Sequence, residues 1–271
     1  MPKPIAVAAD KEGAMNQEER LRAIWDCSVG KLKEVVREFK ITEDELHMAG
    51  DYFNRLGQSG MSRSLIDVAL AMTSIDAAQH AREGTRFNLT GPYHAKHRVR
   101  ADGKLCDVEP EDDAPRLILS GVVTNALTGR TIANAELDFW HADHKGIYDR
   151  KGQHLRGIIV TDPAGRYRVE TLLPNDYSEH DFDPLGELFR AMGRTNTRAA
   201  HVHLKVRVDG MEVLTTQLFM STSQMLDHDY VEGAVSDDLI VALNRSVIDG
   251  APTYTGHFDV SVVVAGAGLA A

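Results

Sequence analysis

Residues 201–208 read HVHLKVRV. Val202, Leu204, Val206 and Val208 alternate with His201, His203, Lys205 and Arg207, the period-two pattern of a strand with one face in a core. Runs of the same kind lie on both sides: LILSGVVT (117–124), AELDFWH (135–141), RGIIVT (156–161), RYRVETLL (166–173), EVLTTQLF (212–219) and HFDVSVVV (257–264). Asn125–Arg130, Asp162–Gly165 and Asp209–Gly210 read as the turns between them. Short strands punctuated this often predict an antiparallel β-sandwich.

The first third has a different period. From Asn16 to Lys40, Leu21, Ile24, Trp25, Leu32, Val35, Val36 and Phe39 recur at helical spacing. Thr42 with Glu45 is a capping box that opens a second helix, for which Gly57 offers a stop. Ser62 to about Glu83 gives a third amphipathic run. The period changes near residue 85, and Gly91-Pro92 punctuates the change. The chain thus reads as a mostly β fold with a helical appendage: residues 1–90 helical, residues 91–271 the sandwich.

Composition narrows the function. The 271 residues carry 40 acidic and 30 basic side chains, a net charge of -10. That balance argues against a nucleic-acid partner, because phosphate binding needs a basic surface. Cys27 and Cys106 stand alone, too few for a disulfide framework and without a CxxC pair. The first 13 residues show no secretory leader, and the apolar tail from Val260 is shorter than the ~20 residues a membrane helix needs. A cytoplasmic protein is expected.

Chemistry centres on His201 and His203. On a strand their imidazoles project together, a natural grip for a metal, although an HxH pair also arises by chance. Tyr148 follows the turn WHADHKGIY (140–148), and Tyr177 follows LLPNDY (172–177). Either tyrosine alone reads as a packing residue. Together with the two histidines they make a set suited to iron(III), since phenolates are hard anionic donors. Arg198, three residues before His201, could stabilise negative charge beside a metal. His141, Asp143 and His144 read as structural.

The order Tyr148, LRGIIVTDPAGRYRVETLLPNDY (155–177) and RAAHVHLKV (198–206) resembles the intradiol ring-cleaving dioxygenases, which include catechol, chlorocatechol and hydroxyquinol 1,2-dioxygenases. The resemblance runs from about Thr85 to Val241, and LTGPYH (89–94) is similar to the family's hinge. It implies one iron(III) per chain, with Tyr148 and His201 as equatorial ligands, Tyr177 and His203 as axial ligands, and a water or hydroxide at the fifth position. Arg198 matches the family's active-site arginine, and Gln217 a glutamine beside it in the catechol branch. Tyr177 would leave the iron when the diol binds and take one of its protons. The implied reaction inserts both atoms of O2 into a catechol, giving a cis,cis-muconate-type diacid.

The segment DRKGQHLRG after Tyr148 is short, and SEHDFDPLGELFRAMGR after Tyr177 lacks the usual Pro-x-Asp-Gly-Pro. LGELFRAMGR and MLDHDYVEGAVSDDLIVAL resemble the hydroxyquinol branch, so hydroxyquinol cleavage is the alternative. More distant readings are a cupin-type HxH metal enzyme and a non-catalytic sandwich module. The helices carry more apolar surface than a sandwich can cover, which predicts a homodimer. The resemblance adds a phospholipid-like amphiphile in its interface.

Overall fold

Helix α1 (Gln17–Phe39) starts at a capping box. The Asn16 side chain accepts from the Glu19 backbone N–H, and the Glu19 carboxylate accepts from that of Asn16. Lys40, in the left-handed conformation, ends it. The second box stands where expected: Thr42 Oγ1 accepts from Glu45 N–H, and Glu45 accepts from Thr42 N–H. Helix α2 (Glu43–Ser59) passes through Gly57 and stops at Gly60, whose φ is 77°. A glycine inside a helix costs only about 1 kcal/mol. The stop falls at the glycine that adopts the left-handed geometry.

The computed structural model describes residues 16–79, 83–108 and 114–264. The N-terminal residues read for a leader and the tail beyond Val264 lie outside these. Among the described residues no helix is long and apolar enough to cross a membrane. The chain divides into two compact units, Met1–Gln58 and Ser59–Ala271.

The second unit opens with α3 (Ser62–Gln79) and then builds its sheets. The strands are β1 (Arg116–Asn125), β2 (Glu136–His141), β3 (Arg156–Val160), β4 (Arg166–Leu172), β5 (Tyr177–Ser178), β6 (Thr197–Arg198), β7 (His201–Val208), β8 (Met211–Met220), β9 (Ile240–Val241), β10 (Leu243–Ile248), β11 (Ala251–His257) and β12 (Val260–Val262). Helix α4 (Pro184–Ala191) sits between β5 and β6 in sequence. One five-stranded sheet runs β3-β2-β7-β8-β9. The other is centred on β1, with β4 on one side and β10-β11 and β12 on the other.

The core is built by alternation. Val202, Leu204, Val206 and Val208 of β7 join Leu137 and Phe139 of β2 and Leu117, Leu119 and Val123 of β1 in one buried cluster. His201 and His203 are thereby forced to the opposite face of the sheet. The sandwich stands, with parallel pairings added: β11 and β12 both run parallel to β1, and β9 runs parallel to β8. HFDVSVVV is not one strand. It breaks at Phe258 and Asp259, where Phe258 N–H donates to Ser120 O and Tyr167 Oη donates to Phe258 O. The chain uses the break to leave the first half of β1 and pair with the second.

Candidate metal centre

Three segments bring the tyrosines and histidines together. Strand β7 holds His201 and His203. The turn before Tyr148 is tied by Asp143, whose Oδ1 accepts from Lys145 N–H and Ile147 N–H, both at 2.8 Å. Gly146 lies in that turn at φ 78°, and a Cβ there would come within 2.6 Å of Tyr177 Cβ. The two tyrosine-bearing segments can meet because residue 146 has no side chain. Strand β5 carries Tyr177, paired with Arg198 of β6.

The polar atoms converge. His201 Nε2 is 3.1 Å from His203 Nε2, which is 3.2 Å from Tyr148 Oη. The Tyr148 and Tyr177 hydroxyls share a hydrogen bond, and their rings meet edge to face at 5.6 Å. His201 Nδ1 lies 2.6 Å from Ala199 O, so it carries the proton and Nε2 presents a lone pair. His203 Nδ1 is buried with no hydrogen-bond partner. Trp140 stacks on the His203 ring at 4.7 Å, nearly parallel.

Electrostatics leave four neutral donors at this point. Burial holds both imidazoles well below the usual histidine range, with Arg198 adding to the effect, so they are neutral lone-pair donors. Burial raises both phenols, and for Tyr177 the neighbouring Tyr148 raises it further. A phenolate persists in such a place only against a positive charge. Two neutral imidazoles and two phenols with converging donor atoms therefore fit a hard, highly charged metal ion.

Arg198 is buried beside this set. Its Nε lies 3.0 Å from both oxygens of Asp229, and its Nη2 donates to Gln217 Oε1 at 2.7 Å. Gln217, opposite His203 in the β7–β8 register, donates in turn to Leu89 O at 2.9 Å. Burial opposes the charge on Arg198, but Asp229 outweighs it and holds the guanidinium above its ordinary pKa. His141 proves structural, with its ring nitrogens 2.7 Å from Ala142 O and Thr171 Oγ1.

Sequence reasoning missed several neighbours. Asp229 is the counter-charge of Arg198. Tyr93 stacks on Tyr148 at 4.4 Å, and Glu179 accepts from both Tyr93 and Tyr230. A second cluster, His94, His97 and Asp138, brings three ligand atoms within 4.8 Å and could hold a metal ion. Burial raises Asp138, but hydrogen bonds from His94 and His97 win and leave it at about 2. Arg207 lies 3.4 Å from Asp138, and Arg156 3.4 Å from His97. This carboxylate is already compensated. Nothing in the spacing of residues 94, 97 and 138 signals the cluster; the β2 register creates it.

The Dioxygenase family profile matches residues 89–263. The chain belongs to the intradiol ring-cleaving dioxygenases. It is 31% identical to a chlorocatechol 1,2-dioxygenase of Pseudomonas putida, over 89% of this chain and 93% of that protein. It is 32% identical to a 6-chlorohydroxyquinol 1,2-dioxygenase of Cupriavidus pinatubonensis, over 84% and 85%. The crystal structure of chlorocatechol 1,2-dioxygenase from Pseudomonas putida superimposes with a TM-score of 0.77 at 30% identity, covering 90% of this chain and 99% of that one. As an intradiol dioxygenase the chain is an oxidoreductase, and its helical N-terminal part followed by a sandwich is the family's architecture.

Proposed function

We propose that this intradiol dioxygenase cleaves catechol or a substituted catechol between its two hydroxyl-bearing carbons, with hydroxyquinol as the alternative substrate. The observation that carries the reading is the meeting of Tyr148, Tyr177, His201 and His203 at one buried point. These four would hold one iron(III) per chain. The His94–His97–Asp138 cluster is the weaker host, because its carboxylate is already matched by two histidines and an arginine. Iron(III) supplies Lewis acidity that lowers the pKa of the diol and draws electron density from the ring toward reaction with O2.

The protein's own residues prepare and receive that chemistry. Tyr177 Oη takes a proton from the incoming diol. Burial raises its pKa and the neighbouring Tyr148 raises it further, so the phenol holds that proton. Arg198 stabilises the negative charge that grows on the ring oxygen, and a planar guanidinium fixed at Nε and Nη2 does so without reorganising. Gln217 keeps its Nη2 edge in place. Trp140 and Tyr93, stacked on His203 and Tyr148, exclude water.

The enzyme works in the cytoplasm as a homodimer built through its N-terminal helices, and a phospholipid-like amphiphile occupies the dimer interface. Iron analysis and an oxygen electrode test the central claim. Purified protein is expected to be burgundy to red, with about one iron per chain, and to take up O2 with catechols without forming a yellow semialdehyde. Colourless, zinc-loaded and fully active protein would refute it.

A further inference from the structure

The carboxylate of Glu179 stands beside the proposed iron centre without a part in it. Glu179 lies two residues after Tyr177, just past the end of β5. Its backbone N–H donates to Asn196 O at 3.1 Å and its carbonyl accepts from the Asn196 side-chain Nδ2, so one residue holds it at both backbone groups. Oε1 accepts from Tyr93 Oη and Oε2 from Tyr230 Oη, each at 2.6 Å. Tyr93 is the ring stacked on Tyr148, and Tyr230 lies against the Arg198 guanidinium, 5.9 Å from Cζ to the ring centroid. The carboxylate is therefore anchored between a neighbour of one proposed iron ligand and a neighbour of the charge-stabilising arginine. Its field reaches both Tyr148 and Tyr177.

A carboxylate has about four lone-pair directions, and the two phenols use one on each oxygen. The remaining capacity accepts hydrogen bonds and repels groups that offer only lone pairs. We propose that Glu179 is a specificity-determining residue that selects catechols whose ring carries a further hydrogen-bond donor, a hydroxyl above all, over halogenated or unsubstituted rings. The proposal rests on the reading of Tyr148, Tyr177, His201 and His203 as the iron centre, and within that reading it ranks the alternative substrate, hydroxyquinol, ahead of catechol. A ring hydroxyl gains a short, charge-assisted bond to the free lone pairs. A ring chlorine brings lone pairs against a carboxylate and gains nothing there.

The test compares kcat/KM for 1,2,4-trihydroxybenzene, catechol and 4-chlorocatechol in iron-replete, full-length wild type, Glu179→Gln and Glu179→Leu, by oxygen uptake. Wild type is expected to favour the trihydroxybenzene. Losing the charge-assisted bond should lower the trihydroxybenzene to 4-chlorocatechol ratio about tenfold in Glu179→Gln, and Glu179→Leu should invert the preference. A clamp that merely joins Tyr93 to Tyr230 would lower Tm and scale all three substrates alike, leaving the ratio unchanged; that result, or a wild type preferring 4-chlorocatechol, overturns the proposal alone. No oxygen uptake with any of the three diols overturns the iron-centre reading and the proposal with it.

Discussion

Arg198 and Asp229 are 5% and 3% exposed, so each is the other's buried counter-charge. Arg198→Ala leaves the carboxylate buried without its counter-charge, a loss of about 3–5 kcal/mol. Loss of activity in that variant alone would confuse stability with chemistry. The double variant Arg198→Ala/Asp229→Asn separates them. It is expected to recover much of the denaturation midpoint and to retain iron, while kcat stays far below wild type. Near wild-type turnover in the double variant would remove Arg198 from the reaction. Arg198→Lys should also be slow, because an ammonium cannot span Asp229 and Gln217 as a planar fork does. His141 makes a separate prediction about pH. Burial lowers its pKa to about 4 in the fold, against about 6.5 in the unfolded chain. The unfolded chain therefore takes the proton first as pH falls. Stability from neutral His141 is intact above about pH 6.5 and lost progressively down to about pH 4, a span worth about 3 kcal/mol. In urea unfolding at pH 7.5 and pH 5.0, His141→Gln should show a smaller acid-side loss than wild type, even if it starts lower.

At the scale of elements, legibility followed how local the signal was. The strand β7 announces itself because Val202, Leu204, Val206 and Val208 need a core and the histidines between them cannot enter it. The capping box at Thr42 is likewise written in four residues. Strands β10 and β11 escaped because LNRSVI lies largely exposed and APTYTGH carries a proline at its second position, so neither reads as a clean strand. Their place is set by pairing with each other and with β1, a long-range fact. Helix α4 was hidden in the same way: Asp183 caps it and Pro184 opens it, but at eight residues its periodicity is too brief to stand out. The candidate site divides along this line. His201 and His203 are readable from their strand, whereas Asp229 and Glu179 reach Arg198 and Tyr93 only through tertiary contact. The turn before Tyr148 gives an element-scale test. Gly146→Ala adds a Cβ 2.6 Å from that of Tyr177 at a backbone angle that L-residues resist. Expected outcomes are a lower Tm and a reduced iron content, since the two tyrosines are pushed apart. Full iron content with unchanged Tm would show that the turn relaxes without moving either tyrosine.

At the scale of the whole molecule, helix α1 presents a long apolar stripe. Helix α1 buries none of its residues, and Trp25 and Phe39 are 69% and 70% exposed. Leu21, Ile24, Leu32 and Val35 on the same helix, and Phe53 on α2, are exposed as well. Scattered apolar side chains are ordinary on a protein surface, but a helical stripe of this length is characteristic of an interface. Solvation of such a stripe is unfavourable by roughly 25 cal/mol for each Å2 of apolar surface, and a second copy of the chain offers the same stripe in return. A twofold arrangement satisfies both copies with one contact, the commonest solution among soluble oligomers. Light scattering at micromolar concentration is therefore expected to report twice the 29.9 kDa chain mass. The double variant Trp25→Glu/Phe39→Glu places charges in the stripe, and should shift the protein toward monomer while its iron content holds. A wild-type monomer at that concentration, or a dimer unaffected by both substitutions, would move the interface away from α1.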